Sequence, residues 1–132
     1  MSFNDLTLEQ QVDVLTENAG AIGGVALMSF ASKLGEMSEN EEKLYIASLV
    51  NDAEGIATIT LGKPLWFVFT DESKLDFLPE TIKNQIVLRH LYIKDILNLF
   101  MRNTSAEGIA FNPFSNEKGI FFANRQVITL AW

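Results

Sequence analysis

The chain has 132 residues, 48% hydrophobic and 20% charged, a globular composition at single-domain length that excludes a disordered or low-complexity protein. It holds no cysteine and a single histidine, which excludes disulfides, thiolate metal sites, thiol catalysis and histidine-pair metal sites. The net charge of −7 is uneven: residues 1–54 carry ten acids against two lysines, and residues 55–132 carry seven acids against eight Lys and Arg. No basic face for nucleic acid is visible, and an acidic face either keeps a protein soluble or docks a basic partner.

The first residues, Met1-Ser2-Phe3-Asn4-Asp5, lack the positive and apolar regions of a signal peptide, so a cytoplasmic protein is expected. Thr7 with Gln10 three residues on reads as a capping box, and Leu8, Val12 and Leu15 fall on one face of a short helix over 7–18. The small-residue stretch 19–35 is expected to be helical, with Gly20 and Gly24 spaced as GxxxG. Glycine inside a helix costs about 1 kcal/mol relative to alanine, so close backbone packing, within the domain or between subunits, must compensate. The stretch falls short of the roughly 20 apolar residues of a membrane span, and no membrane association is expected. It also lacks the lysine and hydroxyl of a phosphate loop.

Residues 36–42 read as a solvated acidic loop. Residues 43–50 and 57–61 read as strands, the second alternating Thr58 and Thr60 with Ile59 and Leu61. Gly62-Lys63 fits a two-residue hairpin loop that pairs 57–61 with 65–69. Leu65 to Phe69 are apolar on both faces, which places that strand centrally. At its end Thr70 is a natural N-cap, with Asp71 and Glu72 in the first turn of a helix stopped by Pro79. A strand end that opens onto a helix start is also where α/β folds place ligands, so Phe69, Thr70 and Asp71 are candidate binding residues.

Residues 84–89 read as a strand and 91–103 as a strongly amphipathic helix, with Ile93, Ile96, Leu97, Phe100 and Met101 on one face. A strand ending at Asn112-Pro113 and a turn at 115–119 follow. In the tail, either Asn124 caps a closing helix or 127–131 form a last strand, the helix being preferred. His90 lies at a junction with no nucleophile-elbow sequence and reads as structural. Trp132 should pack, in the core by preference, otherwise against a second copy or a partner. The order of elements indicates a single α+β (α/β) domain over 1–132. A helical segment over 1–35 precedes a sheet-containing core over 43–132, with a mixed, mainly antiparallel sheet of about five strands flanked by helices.

The run "GKPLWFVFTDESKLDFLPE", the helix "YIKDILNLF" and "EGIAFNPFSNEKGIFFANRQVITL" together resemble the N-terminal domain of the SseB proteins, named for enhanced serine sensitivity in bacteria, over about 43–132. The resemblance implies a small acidic cytosolic bacterial protein with no established reaction, linked by name to metabolic stress. It implies recurrent positions at Phe69, Thr70, Asp71, Asn112 and Pro113. This chain departs from the family pattern at Phe114, where glycine often follows the proline.

The expectation is therefore a non-enzymatic interaction module without cofactor or metal. It would engage a protein partner or itself through Phe69, Thr70, Asp71, Asn112 and Pro113, with Gly20, Gly24 and Trp132 as interface candidates. The alternative is a small-molecule sensor or small enzyme with a polar pocket near Asp71 and Asn112, using Asp71 or His90 as proton carrier.

Overall fold

A computed structural model of the chain describes residues 2–117 and 119–132. It has the α+β architecture, a mixed sheet with helices against it. The first helix, α1 (Leu8–Glu17), is capped as expected: Gln10 N–H donates to Thr7 Oγ1 at 3.2 Å and Thr7 N–H donates to Gln10 Oε1 at 2.9 Å. Leu8, Val12 and Leu15 are buried.

The next helix, α2 (Gly24–Glu39), corrects two expectations. It begins at Gly24, because residues 18–20 form a turn, and it runs through much of the stretch read as an acidic loop. Neither Gly20 nor Gly24 has an atom within 4 Å of where a Cβ would stand, so their spacing serves no close packing in the domain. Within the stretch 19–35 the close approach is made at Gly35 instead, whose Cβ would lie 2.9 Å from the carbonyl oxygen of Ala131.

Strands β1 (Lys43–Leu49), β2 (Ile59–Thr60), β3 (Pro64–Phe69), β4 (Ile86–Tyr92), β5 (Gly108–Phe111) and β6 (Phe122–Asn124) form one sheet in the order β4-β1-β3-β5-β6. The pairing of β2 with β3 lies at Leu65 and Pro64, beyond the stretch of β3 that meets β1. Among the described residues only β3 and β5 pair in parallel. The expected strand 57–61 shortens because Ala57, fully buried, donates its N–H to Ala47 of β1. The hairpin loop is also one residue longer than expected. Thr60 pairs with Pro64, which places Gly62 at the apex with φ +73°, a conformation that favours glycine.

β3 is central and buried on both faces, as its apolar run requires. Trp66 and Val68 point into the larger core with the helices, where Trp66 meets Phe100 edge-on at 5.3 Å and Phe30 meets Phe111 and Phe121 edge-on at 5.0 and 5.1 Å. Leu65, Phe67 and Phe69 point to the other face. There the 3-10 helix Glu72–Phe77, the short helix α3 (Glu80–Lys83) and Leu78 help to cover them. Burying each large apolar side chain contributes about 1.5–3 kcal/mol.

Strand β4 extends three residues past the expected end, and α4 (Ile93–Arg102) buries Ile93, Ile96, Leu97 and Phe100. The tail is a helix, α5 (Arg125–Ala131), whose cap Asn124 accepts from Val127 N–H at 3.0 Å. Arg125 anchors it: its guanidinium lies 4.2 Å from the Phe100 ring centroid and donates to the carbonyls of Phe100 and Asn103 at the end of α4 and of Ala106 in the connection that follows. A cation there complements the negative end of a helix dipole. Of the expected turn at 115–119, Lys118 lies outside the described residues.

Candidate functional site

Because β3 and β5 are parallel neighbours, their carboxyl ends lie side by side and bring Thr70 to Asn112. Asn112 Oδ1 accepts from Thr70 N–H at 2.9 Å, Asn112 Nδ2 donates to Thr70 Oγ1 at 2.9 Å, and Asn112 N–H donates to the carbonyl of Val68 at 2.8 Å. Asn112 is 1% exposed with φ +47°, a left-handed conformation that asparagine tolerates better than most residues. Phe69 and Pro113 are buried too. Phe114 takes φ +67°, so the turn keeps a conformation favouring glycine although the residue is Phe, which meets Phe67 edge-on at 6.5 Å.

Thr70 is not the helix cap. Asp71 is, one residue later, accepting from Ser73 N–H at 3.2 Å and from the Ser73 hydroxyl. The shift follows from Thr70 being held by Asn112, with its hydroxyl also 3.4 Å from Glu9 Oε1, which itself pairs with Lys74 at 3.0 Å. The hydrogen bonds from the Ser73 side chain and backbone hold the Asp71 carboxyl below its usual range, the opposite of what a proton carrier near neutral pH needs.

His90 is exposed on β4 and stacks flat on Tyr45, its cross-strand partner, with ring centroids 4.3 Å apart. Tyr45 donates to Glu72 at 3.1 Å, and desolvation, followed by that hydrogen bond, raises the phenol above its ordinary value. Among the described residues no cluster of three or more His, Cys, Asp or Glu is placed to hold a metal ion. No helix of the described residues is long and apolar enough to cross a membrane.

The exposed groups that sequence reasoning did not assemble lie elsewhere. Trp132 is 64% exposed rather than in the core, because Val127, Ile128 and Ala131 already fill the inner face of α5. It is nevertheless tied down: its indole N–H donates to Asn98 Oδ1 at 2.6 Å and its backbone N–H to Ile128 O at 3.0 Å. Beside it, a cavity of about 260 Å³ is lined by Ser38, Glu39, Glu41, Lys94, Asn98 and Trp132. Another of about 220 Å³, lined by Ser38, Glu41, Tyr92, Lys94 and Asp95, shares three of those residues, so the two form one groove. Tyr92, 46% exposed, flanks it and holds the Lys43 ammonium 4.6 Å from its ring centroid. The sequence signals for this groove were separate ones, the acidic run at 36–42 and an aromatic at 132.

A further depression of about 360 Å³ lies where Asn4, Gln11, Val25, Met28, Ser29 and Glu36 meet. Gln11 is fully buried, donates through Nε2 to Phe3 O at 3.0 Å, and leaves Oε1 without a hydrogen-bond partner. No protein-family model, curated protein or solved structure matches the chain.

Proposed function

We propose that this chain is a non-enzymatic, SseB-like binding module that engages a protein partner in the cytoplasm through the groove between Tyr92 and Trp132. One observation carries the reading: an indole 64% exposed is held in one orientation by Asn98 at the mouth of a concave surface. A large aromatic ring fixed before binding loses little conformational freedom on contact, and tryptophan is enriched among residues that dominate interface energetics. Of the strand-end residues named by the sequence, Asn112, Phe69 and Pro113 are buried and Asp71 caps a helix, which leaves them less open to a partner than the groove.

The test is affinity capture with the wild-type chain and with Trp132→Ala and Tyr92→Ala, alongside sedimentation of each chain alone. A protein retained by wild type and lost from both variants, with melting temperatures unchanged, is the expected result. Identical capture by all three chains overturns the reading. A Trp132-dependent dimer in sedimentation would identify the partner as a second copy.

The alternative, a small-molecule sensor, is favoured by a separate observation, the unpartnered Gln11 Oε1 beneath the depression near Asn4. A thermal-shift screen against polar metabolites tests it; a hit abolished by Gln11→Leu would support it, and a screen without hits would leave the interaction module.

A further inference from the structure

Resting on the interaction reading above, we infer that the occupant of the Tyr92–Trp132 groove is a basic segment of the partner, an Arg or Lys side chain laid on the Trp132 ring between the carboxylates of Glu39, Glu41 and Asp95. The charge placement at the end of α2 points to this. A helix of sixteen residues ends there in its negative pole, with no basic residue in its last turn. Glu36 and Glu39 lie in its last turns, and Glu41 and Glu42 follow directly. Neither ion pair among the described residues involves any of the four. Carboxylates gathered at a helix carboxyl terminus repel both the dipole and each other, a local misfit that an incoming cation relieves.

The aromatic rings give the cation a specific seat. Tyr92 already holds the Lys43 ammonium, which shows that this rim accepts a cation on a ring face. Trp132, the stronger ring for such contacts, carries none among the described residues, and its N–H is engaged at the edge by Asn98, which leaves the faces available. Lys94 is the one cation in the groove lining and forms no ion pair within 4.0 Å among the described residues. It opposes a basic ligand, so its removal should help binding.

The experiment is fluorescence anisotropy with the full chain and a labelled peptide alternating Arg with Gly and Ser, against the same peptide with citrulline, the uncharged isostere of arginine. The Arg peptide should bind and the citrulline peptide should not. Trp132→Ala and the pair Glu39→Gln/Glu41→Gln should each weaken binding about tenfold, and Lys94→Gln should tighten it about twofold. Neutralising two exposed acids on α1, Asp13→Asn/Glu17→Gln, should change it less than about twofold. Raising salt from about 50 to 300 mM should weaken it several-fold. Equal binding of the citrulline peptide, or an effect of the α1 pair as large as that of the groove pair, overturns the inference. If a protein partner is captured through Trp132 while the Arg peptide fails, the basic-ligand inference falls and the groove reading stands. If neither depends on Trp132, both fall.

Discussion

Replacing Asn112 by alanine should destabilise the fold by about 3 kcal/mol, and replacing it by glycine by about 2 kcal/mol. The alanine variant removes the acceptor for Thr70 N–H and the donor to Thr70 Oγ1, both at 2.9 Å. A net hydrogen bond contributes about 1 kcal/mol, and a donor left unpartnered away from water costs about 1–3 kcal/mol. Thr70 is only half-buried, so water can reach part of the vacated place and the lower end applies. Alanine must also hold φ near +47°, which adds about 1 kcal/mol that glycine avoids. In a urea titration with a slope of about 1.5 kcal/mol/M, the alanine variant should unfold about 2 M earlier with the slope unchanged. Glycine should fall between it and wild type. Variants within about 0.5 kcal/mol of wild type, or a glycine variant less stable than the alanine one, would refute the assignment of Asn112 as the lock between β3 and β5.

Two glycines make opposite predictions. Gly35→Ala places a Cβ 2.9 Å from the Ala131 carbonyl and should destabilise by about 1–3 kcal/mol, because backbone on α5 must shift. Gly24→Ala meets nothing and should be neutral or stabilising by a few tenths of a kcal/mol; a loss of stability in calorimetry would reveal packing that the fold does not contain. At Asp71 the folded carboxyl is held below its unfolded value, so its contribution is complete above about pH 4 and is lost as pH falls through the lowered folded value. The gap in melting temperature between wild type and Asp71→Ala should therefore be full at pH 7 and close towards pH 2, and a gap independent of pH would remove the charge from the cap. In fluorescence, Trp132→Phe should delete the red-shifted, iodide-quenchable emission and leave that of buried Trp66; survival of the quenchable fraction would contradict the exposed indole.

The sequence was legible where the physics is local. The Thr7–Gln10 capping box, the both-faces-apolar strand ending at Phe69, the amphipathic stripe of α4 and the Asn124 cap each depend on residues a few positions apart, and each formed as expected. Misreadings arose where a distant partner decides. Thr70 is a good cap by type, but Asn112, 42 residues on, takes both its N–H and its hydroxyl, and the cap passes to Asp71. Gly20 and Gly24 have the spacing of a packing motif, yet within that stretch the contact that needs a glycine is made at Gly35 by the end of α5. The Arg125 clasp on α4 and the Trp132–Asn98 bond leave no periodic signal at all. The groove is assembled from three stretches of chain, around 38–41, 92–98 and 132, which no sequence window spans.

Buried and exposed polar groups also differ in what remains for a partner. Asn112 uses its amide oxygen, amide nitrogen and backbone N–H inside the domain, so a ligand reaching it would first have to break the contacts that join β3 to β5. At the groove the balance is reversed. The carboxylates of Glu39 and Glu41 have no ion pair among the described residues, and the Trp132 indole, 64% exposed, is oriented by a contact at its N–H edge. The orientation itself comes from the core. Gly35 lets α5 approach α2 at Ala131, the residue before Trp132, while Arg125 fastens the start of α5 to the end of α4. The indole thus stands beside Glu39, one turn past Gly35 on α2, because two backbone segments touch where a side chain would hold them apart.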